Sequence, residues 1–269
     1  MRMLGIDIGG SGIKGAPVDL STGEFLEERL RIETPQPAKP DAVAAVLKEI
    51  ADHFGGDGRI GVTYPGVVID GVTQTAANVD KHWIGTDAAA LFAKATGRPV
   101  TVLNDADAAG VAEMRLGAGK GQQGTVLMVT LGTGIGSALF SGGVLVPNTE
   151  LGHLKMHGHD AEKHTSAKAR EDEDLDWDEW AGRLAKYFHY VEALLNPSLI
   201  IVGGGVSKKA AKFLPLIEGV RAPIVPAELV NNAGIVGAAM AAAEASAADA
   251  SDVRPPVIEA ASHQEAAAG

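Results

Sequence analysis

The chain has 269 residues, no cysteine and a formal net charge of −11 at pH 7. The lack of cysteine excludes disulfides and thiolate metal sites, and the acidic balance argues against a general nucleic-acid binder, although not against a local basic groove for a polyanion. Apolar residues make up 46% of the chain, which is ordinary for a globular protein with one large or two modest domains. No apolar run approaches the roughly 18 residues of a membrane span, and a strand follows the first residues without room for a signal peptide, so we expect a cytoplasmic protein.

The first element is a short strand that runs into a glycine-rich turn and out into a second extended segment. Apolar residues alternate over residues 4–8, which indicates a buried strand. Asp7 lies within that run, where a carboxylate is costly unless it meets a metal or a phosphate-linked water. The glycines of the turn let the backbone approach a ligand closely, and the turn also supplies a hydroxyl and a cation. These groups suit an oxyanion bound together with its metal ion. The order of the residues is not that of a Walker motif. These groups belong to Gly9, Gly10, Ser11, Gly12 and Lys14.

Residues 18–66 predict further strands, a linker and a helix. A hairpin with its turn at 21–23 is followed by an extended segment at 29–34. A proline-rich linker then leads to Asp41, which we expect to cap an amphipathic helix. An apolar strand follows at 60–64. This β-β-β-α-β order is that of the actin-like ATPase domain.

A long loop is predicted at 67–86, where periodicity is poor and turn formers are frequent. Its polar stretch, residues 75–80, includes Asn78, whose amide could meet a sugar. An equally good interpretation is that Asn and Asp fix turns there. The residues alone do not separate the two.

A predicted helix at 87–96 and a strand at 99–103 deliver polar residues to the carboxyl end of that strand. They are Asn104, Asp105 and Asp107, at the position where open α/β sheets place their chemistry. The alternative is that an aspartate simply caps the helix that follows. We expect one of the two aspartates to cap the helix and the other to act chemically.

The opening design is repeated near the middle of the chain. An apolar strand at 125–130 leads to a second glycine-rich turn with a hydroxyl residue, and then to another extended segment. The turn residues are Gly132, Thr133, Gly134 and Gly136. Two matched copies predict a duplicated fold with a phosphate held between its halves.

An acid and an imidazole three residues apart, Glu150 and His153, could both face a polyol. The alternative for His153 is a hydrogen-bonded core or surface histidine without a ligand. His157, His159 and His164 lie nearby and suggest zinc, but their irregular spacing and the lack of cysteine disfavour it.

A charged stretch at 161–179 predicts an exposed loop and a helix N-terminus, where acids suit the helix dipole. The helix predicted at 177–195 has an apolar stripe that is more typical of a core or a subunit interface than of a ligand site. The stripe consists of Trp180, Leu184, Tyr187, Phe188, Val191, Leu194 and Leu195.

A third glycine-rich turn follows a buried strand at 199–202, and we expect a helix with three lysines after it. The turn contains Gly204 and Gly205, and the lysines are Lys208, Lys209 and Lys212. The first and last lysine would share a face of the helix and, with its N-terminal amides, would favour an anion. The alternative is a set of solubilising surface lysines.

A small-residue helix is predicted from residue 233, and the composition from residue 246 predicts a disordered tail.

Five motifs in this order resemble the ROK family of sugar kinases, repressors and open-reading-frame proteins. They are residues 7–14, 104–105, 131–136, 150–153 and 201–205. The resemblance implies an α/β chain with the actin-like, ribonuclease H-type fold, duplicated into two domains around a cleft. It implies an N-terminal domain at 1–108, a C-terminal domain at 109–245 and a disordered tail at 246–269, with the helix at 232–245 as a candidate to pack back on the N-terminal domain.

Within the family the chain is most similar to glucokinases that use polyphosphate. Residues 63–68, 75–87, 170–177 and 203–209 carry this similarity. Most ROK kinases hold a structural zinc on a cysteine-rich motif, whereas residues 158–166 contain no cysteine, so we expect no zinc site. The repressor branch has an N-terminal helix-turn-helix, for which the strand that begins near residue 3 leaves no room.

The resemblance implies phosphoryl transfer from inorganic polyphosphate, and also from ATP, to the 6-hydroxyl of glucose, giving glucose 6-phosphate. Asp105 would be the general base, and Asp7 would help to hold Mg²⁺. The residues implied to hold the sugar are Asn78, Asn104, Asp105, Glu150, His153 and Glu162. Those implied on the donor side are Gly9, Gly10, Ser11, Gly12, Lys14, Gly132, Thr133, Gly134, Gly136, Gly204, Gly205, Lys208 and Lys209, with Lys212, Arg31 and Lys120 as further candidates.

The implied partners are glucose and polyphosphate, with no nucleic acid and no membrane, and the family implies a homodimer. The alternatives are a glucokinase or glucomannokinase that uses mainly ATP, and a non-catalytic sugar sensor. Polyphosphate and ATP need the same phosphate loops, so the residues do not decide between them. The Asn104-Asp105 pair and the lack of a DNA-reading segment disfavour the sensor.

Overall fold

Two five-stranded sheets with the same strand order form the framework of the chain. A computed structural model describes residues 1–76, 79–156 and 158–252. The strands are β1 (Arg2–Ile8), β2 (Ile13–Asp19), β3 (Leu30–Ile32), β4 (Ile60–Tyr64), β5 (Val68–Ile69), β6 (Val72–Thr73), β7 (Val100–Asn104), β8 (Thr125–Leu131), β9 (Ile135–Ser141), β10 (Val144–Val146), β11 (Lys155–Met156), β12 (His159–Asp160), β13 (Leu199–Gly203) and β14 (Ile224–Pro226). The α-helices are α1 (Pro40–Phe54), α2 (Ala88–Thr96), α3 (Asp105–Leu116), α4 (Glu162–Thr165), α5 (Ala167–Asp172), α6 (Trp177–Leu195) and α7 (Ala233–Asp252). Short 3-10 segments cover Lys81–Trp83, Leu151–His153, Gly205–Lys212, Leu214–Leu216 and Val230–Asn232.

Each sheet begins with three antiparallel strands and continues with two parallel ones. The first sheet has the order β3-β2-β1-β4-β7, and the second has the order β10-β9-β8-β13-β14. In both sheets the strand before a glycine-rich turn, β1 or β8, lies at the centre and pairs parallel with a crossover strand. This repetition confirms the duplicated α/β fold that the two glycine-rich turns predicted.

Helix α7 packs closely against the first sheet. A Cβ added to Gly61 of β4 would lie 1.8 Å from the Ala238 carbonyl oxygen, and one added to Gly5 of β1 would lie 2.0 Å from the Ile235 carbonyl oxygen. Only glycine permits this separation, because any side chain would overlap the helix backbone. One apolar cluster contains residues of both sheets and of α7, among them Met3, Val126 and Val236. The helix therefore joins the cores of the two halves.

Three predicted boundaries are wrong. Helix α7 continues through residues 246–252, where a disordered tail was expected, because alanine favours a helix that the sheet already anchors; residues 253–269 lie outside the described residues. Helix α1 begins at Pro40, with Lys39 at the N-cap and no side-chain cap, so Asp41 lies in the first turn instead of capping it. The charged stretch expected to form a loop contains the short helices α4 and α5.

The stripe on α6 is largely buried, as predicted. Trp180, Leu184, Tyr187, Phe188 and Val191 are fully buried. Leu194 differs, because 55% of its surface is exposed, so it does not belong to the core. A subunit interface on this helix stays a prediction. Neither α6 nor any other helix in the described ranges is both long enough and apolar enough to cross a membrane.

Candidate active site

The predicted site loops follow the carboxyl ends of parallel strands in both sheets. The first glycine-rich turn follows β1, Asp105 follows β7, and the second and third turns follow β8 and β13. The two edges meet, since a Cβ added to Gly136 of β9 would lie 2.9 Å from the Cβ of Ala106 in α3. The structure therefore brings the turns of both halves together beside the start of α3.

A row of polar side chains crosses the first sheet at the end of β1. Asp7 pairs in register with Lys14 on β2, and Lys14 pairs with Arg31 on β3. On the other side Asp7 pairs with Thr63 on β4, whose hydroxyl donates a hydrogen bond to Asp7 Oδ1 at 2.8 Å. Paired residues project from the same face of a sheet, so two cations and one carboxylate lie side by side. Sequence reasoning found Asp7 and Lys14 but missed Thr63.

The chemistry around Asp7 fits a hard divalent cation such as Mg²⁺. Thr63 binds one carboxylate oxygen, and the other has no hydrogen-bond partner within the described residues. Asp105 is close enough for the charge of Asp7 to raise its pKa. Carboxylate and hydroxyl oxygens are the ligands that Mg²⁺ prefers. Asp7 therefore stays the predicted magnesium ligand, directly or through water.

Side chains in and just after β3 form hydrogen bonds with the backbone of the first glycine-rich turn. The Gly9 N–H donates to the Gly12 carbonyl at 3.2 Å, which closes the turn. Thr34 donates to the Gly9 carbonyl at 2.5 Å, and Arg31 donates to the Ser11 carbonyl at 2.8 Å. These bonds fix the shape of the turn while its tip remains exposed. Sequence reasoning missed Thr34, because no local pattern distinguishes such a brace.

Asn104, and neither aspartate, caps helix α3. Its Oδ1 accepts the N–H groups of Ala106 and Asp107 at 2.8 and 3.0 Å. The prediction that Asp105 or Asp107 caps this helix is therefore wrong, because Asn104 occupies the last extended position before the helix. Its Nδ2 donates to the Gly66 carbonyl at 3.1 Å, and the second N–H of this amide has no partner within the described residues. The predicted sugar contact of Asn104 stays a prediction.

Asp105 is the first residue of α3, and its Oδ1 accepts the N–H of Ala106 at 2.8 Å. The residue is exposed to solvent, yet enough protein atoms lie near its carboxylate to desolvate it. This desolvation, together with the negative charges of Asp7 and Glu150, raises the pKa of Asp105 to about 6. A carboxylate with this pKa accepts a proton near neutral pH far better than an ordinary aspartate, as a general base requires.

Glu150, His153 and Glu162 lie together in an acid–imidazole cluster. His153 Nε2 is 3.6 Å from Glu150 Oε2, and His153 Nδ1 is 3.8 Å from Glu162 Oε1. Asp160, which sequence reasoning missed, lies 3.6 Å from the same Nδ1. Burial raises the pKa of Glu150, His153 opposes that rise and Glu162 adds to it. His153, Asp160 and Glu162 also offer ligand atoms within 4.8 Å of one another, so the expected absence of zinc stays a prediction.

The second glycine-rich turn is connected to this cluster through Glu162. Glu162 Oε2 accepts the N–H of Ile135 at 3.2 Å. A Cβ added to Gly134 would lie 2.4 Å from the same oxygen, so the turn and the carboxylate are in contact. The third turn packs on the end of β8, directly before the second turn, since a Cβ added to Gly204 would lie 2.3 Å from the Leu131 carbonyl oxygen. The two turns of the second half therefore lie next to each other.

A family model matches the part of the chain that holds most of this site. The ROK family model matches residues 3–173, which contain the first two glycine-rich turns, Asn104, Asp105 and the acid–imidazole cluster. The chain belongs to the ROK family. The resemblance that the five motifs indicated is confirmed.

The likeness to ROK proteins extends over most of the chain. A polyphosphate glucokinase from Mycobacterium tuberculosis is 53% identical over 238 residues, which is 88% of this chain and 89% of that relative. The crystal structure of an inorganic polyphosphate/ATP-glucomannokinase from Arthrobacter sp. strain KM is 55% identical, with a TM-score of 0.85 over 91% of this chain and 99% of that one. A ROK family glucokinase from Streptomyces griseus, solved in complex with glucose and AMPPNP, is 25% identical, with a TM-score of 0.76 over 91% of this chain and 100% of that one.

The lysines after the third turn do not lie on an α-helix. Residues Gly205–Lys212 form a 3-10 segment with a kink at Lys209, where φ is −109° and ψ is 17°. The prediction of a helix on which Lys208 and Lys212 share a face is therefore wrong. With about three residues per turn, Lys209 and Lys212 instead both approach Trp177, at 5.9 and 5.8 Å from the ring centroid.

Cationic side chains near the third turn contact the indole ring of Trp177. Its indole stacks on Phe213 with centroids 5.9 Å apart, and the Arg170 guanidinium lies 3.7 Å from the indole centroid. Cations favour the face of an indole, so the contacts hold Arg170 and Lys209 on one surface. Sequence reasoning did not place Arg170 there, because the contact depends on how α5 packs against α6. Lys208 is exposed and makes no hydrogen bond or ion pair within the described residues.

Asn78 lies outside the described residues, so its predicted sugar contact stays a prediction. The start of its loop is fixed by Thr75. The Tyr64 hydroxyl donates to the Thr75 carbonyl at 2.9 Å, and the Val67 N–H donates to Thr75 Oγ1 at 3.0 Å. These bonds tie the loop to the end of β4, close to the Gly66 carbonyl that binds Asn104.

Proposed function

We propose that this chain transfers a phosphoryl group from inorganic polyphosphate, and also from ATP, to the 6-hydroxyl of glucose. The products are glucose 6-phosphate and a polyphosphate that is one phosphate shorter, or ADP. The observation that carries the proposal is the Asp105 carboxylate, whose pKa is raised to about 6 by desolvation and by the charges of Asp7, next to the first glycine-rich turn, and of Glu150 in the acid–imidazole cluster. Two of the relatives above 50% identity, one named a polyphosphate glucokinase and the other an inorganic polyphosphate/ATP-glucomannokinase, support this choice.

Asp105 acts as the general base. Its ionised carboxylate accepts the proton of the 6-hydroxyl while the hydroxyl oxygen attacks the terminal phosphorus in line. The new O–P bond forms as the bond to the bridging oxygen breaks, and the electron pair of that bond leaves with the shortened donor. Because the transition state for phosphoryl transfer is loose, orienting the hydroxyl contributes as much as removing its proton.

The sugar is held by groups on both sides of Asp105. Asn104 has one N–H left after its bonds to α3 and to Gly66, and it donates that N–H to a hydroxyl. Glu150 and Glu162 accept hydrogen bonds from hydroxyl groups, and His153 between them can donate or accept a hydrogen bond according to its tautomer. A polyol presents alternating donors and acceptors, which suits such a mixed set.

The glycine-rich turns and Asp7 serve the phosphoryl donor. Exposed backbone N–H groups at the tips of the turns can surround the phosphate oxygens, and Lys14 lies beside Asp7 in the sheet. Mg²⁺, when bound, neutralises part of the charge on the transferring phosphate, and Asp7 is the residue that would hold it. Lys208, Lys209, Lys212 and Arg170 supply charge further along a polymeric donor, which has no adenine to bind.

Mannose is proposed as a second acceptor. The structural relative from Arthrobacter is named a glucomannokinase and is 55% identical.

We also propose a homodimer. The apolar surface that α6 leaves exposed, at Tyr190 and Leu194, offers one face for it.

The test is an assay with the purified protein, glucose and Mg²⁺, to which polyphosphate or ATP is added separately. Glucose 6-phosphate is measured with a coupled dehydrogenase. We expect product with polyphosphate and, at a lower kcat/KM, with ATP. Product with ATP and none with polyphosphate would leave a glucokinase of the ATP-dependent type, and no product with either donor would leave a sugar-binding protein.

A further inference from the structure

Asn148 connects two elements that are far apart in the sequence. Its backbone N–H donates to Asp107 Oδ2 of helix α3 at 2.8 Å. Its side chain forms two hydrogen bonds with the backbone of Val68 on β5: Nδ2 donates to the Val68 carbonyl at 2.8 Å, and Oδ1 accepts the Val68 N–H at 3.0 Å. Three hydrogen bonds therefore join α3, the loop before Glu150 and the β5–β6 hairpin through one residue.

Each of the joined elements leads to a predicted sugar group. The segment before the hairpin is also tied to the start of α3, because the N-cap residue Asn104 donates to the Gly66 carbonyl, and the hairpin continues into the loop that starts at Thr75. On the other side, Asn148 precedes Glu150 by two residues. Ser137 fixes the intervening backbone, because its hydroxyl donates to the Thr149 carbonyl at 2.6 Å. The positions of the sugar loops thus depend on the same junction.

Asp107 differs from the other buried acids that hold loops. Glu113 uses both carboxylate oxygens, which accept the N–H groups of Ala118, Glu228 and Leu229. Glu192 likewise uses both, toward the backbone and side chain of Arg221 and the N–H of Ala222. Asp107 is 1% exposed, and its Oδ1 is buried without a hydrogen-bond partner in the described part of the chain.

An incompletely bonded carboxylate is a poor choice for a purely structural brace. Its position suggests another role, because Asp107 lies two residues after the proposed base and its second oxygen holds the backbone N–H of Asn148. Asn148 also has a left-handed backbone conformation, with φ 59°. The junction therefore specifies a single arrangement of the loop before Glu150.

We propose that Asp107 and Asn148 form a latch that positions the two sugar-facing loops, residues 66–76 and 148–153, around Asp105. Asp107 and Asn148 are positioning residues for the acceptor sugar, and they touch neither the sugar nor the donor. None of the three hydrogen bonds of the latch involves a glycine-rich turn. Loss of the latch should therefore weaken glucose binding and leave donor binding unchanged.

This inference rests on the proposed glucose kinase function, so its test starts with glucose binding in the absence of donor. Titration calorimetry is performed on the wild type, Asp107→Ala and Asn148→Gly. Glycine is chosen at residue 148 because it keeps the positive φ while removing both side-chain hydrogen bonds. We expect each variant to lose about tenfold in glucose affinity, as expected for a missing hydrogen bond that no longer fixes a loop. A wild type that binds no glucose would contradict the proposed function, whereas variants that bind like the wild type would contradict the latch.

Steady-state kinetics then separate positioning from general damage. In Asp107→Ala and Asn148→Gly the KM for glucose should rise about tenfold, while the KM for polyphosphate changes less than about twofold. Asp107→Asn should recover most of the loss, because an amide oxygen can accept the same N–H. The double variant should be no worse than the worse single variant, since both remove one junction.

Glu192→Ala is the matched control. It also removes a buried acid that holds a backbone segment, at Arg221 and Ala222, but none of the predicted site residues lies in that segment. It should lower the thermal unfolding midpoint and leave the KM for glucose unchanged. If Asp107→Ala and Asn148→Gly behave like this control, or raise both KM values equally, the latch is a structural brace only and the proposal is wrong. If Asp107→Ala fails to fold, Asn148→Gly decides by the same criteria.

Discussion

The Glu162 carboxylate accepts the backbone N–H of Ile135 at 3.2 Å, and it leaves no room for a side chain at Gly134. A residue predicted to hold the sugar is therefore in contact with a turn predicted to hold the phosphate. A displacement of the Glu162 carboxylate should therefore also displace the turn, and the reverse. Substitutions at this contact test whether the acceptor and donor sites are coupled.

Gly134→Ala should weaken the use of both substrates, glucose and polyphosphate. The new Cβ would lie 2.4 Å from Glu162 Oε2, so either the turn or the carboxylate must move. We expect the KM values for glucose and polyphosphate both to rise and kcat/KM to fall by about 10–100-fold, as for other displacements of aligned catalytic groups. Gly182→Ala, on α6 where a Cβ has nothing within 4 Å, is the control and should behave like the wild type. A change in one KM alone would mean that the two sites are not coupled through Glu162.

The pH dependence of the rate should report the ionisation of Asp105. Desolvation, Asp7 and Glu150 raise its pKa to about 6, and only the ionised carboxylate can accept a proton. The value of kcat/KM for glucose should therefore fall about tenfold per pH unit below pH 6 and reach a plateau above it. Measurement at saturating polyphosphate between pH 5 and 8 checks this. A profile that is flat down to pH 5 would exclude a base with a raised pKa.

Asp107→Asn should become more stable relative to the wild type as the pH rises. Burial raises the pKa of Asp107 to about 7, the N–H of Asn148 opposes the rise, and the charges of Asp105 and Glu150 add to it. The folded pKa lies above the unfolded one, so the stability contributed by this group is complete below about pH 4 and is lost as the pH rises through 7. The asparagine variant does not ionise and should gain on the order of 2–4 kcal/mol relative to the wild type between pH 4 and 8. Urea unfolding of both proteins at several pH values measures the difference in their free energies of unfolding. A difference that does not change with pH would contradict the raised pKa of Asp107.

The lysines beside the third turn should matter more for polyphosphate than for ATP. Lys208→Ala with Lys209→Ala removes two positive charges beside the third turn, where a long polyanion has more charges to place than a nucleotide. We expect the KM for polyphosphate to rise about fivefold at low salt, with a smaller effect at high salt where exposed charges are screened. Lys186→Ala, an exposed lysine on α6, is the control. An equal effect on ATP and polyphosphate would place these lysines at a site common to both donors.

Motifs that depend on a few consecutive residues could be predicted from the sequence. The turns at Gly9 and Gly132 are each recognisable from a few consecutive glycines after an apolar strand, so their repetition was enough to predict a duplicated fold. The residues that follow from tertiary contacts could not be predicted in this way. Thr63 reaches Asp7 only because β4 pairs with β1, and Asn148 reaches Asp107 and Val68 only because three separate elements meet.

The incorrect predictions also have local physical causes. Asn104 and Asp105 are both good N-cap residues, and only the end of β7 decides which of them occupies the cap. Residues 246–252 are polar enough to suggest disorder, but their alanines extend a helix that the sheet already anchors. Lys209, where the segment kinks, and Phe213 both approach Trp177, and no spacing of lysines reveals such tertiary contacts.

The central claim is that Asp105 is the base for phosphoryl transfer to glucose. The most direct measurement compares wild type and Asp105→Asn for glucose 6-phosphate formed from polyphosphate, together with glucose binding by calorimetry. Asparagine keeps the size of the side chain and can still accept the N–H of Ala106, so the start of α3 should be unchanged. We expect kcat to fall by at least about 100-fold while glucose still binds. Activity above about one hundredth of the wild type, with glucose binding intact, would contradict the assignment of Asp105 as the general base.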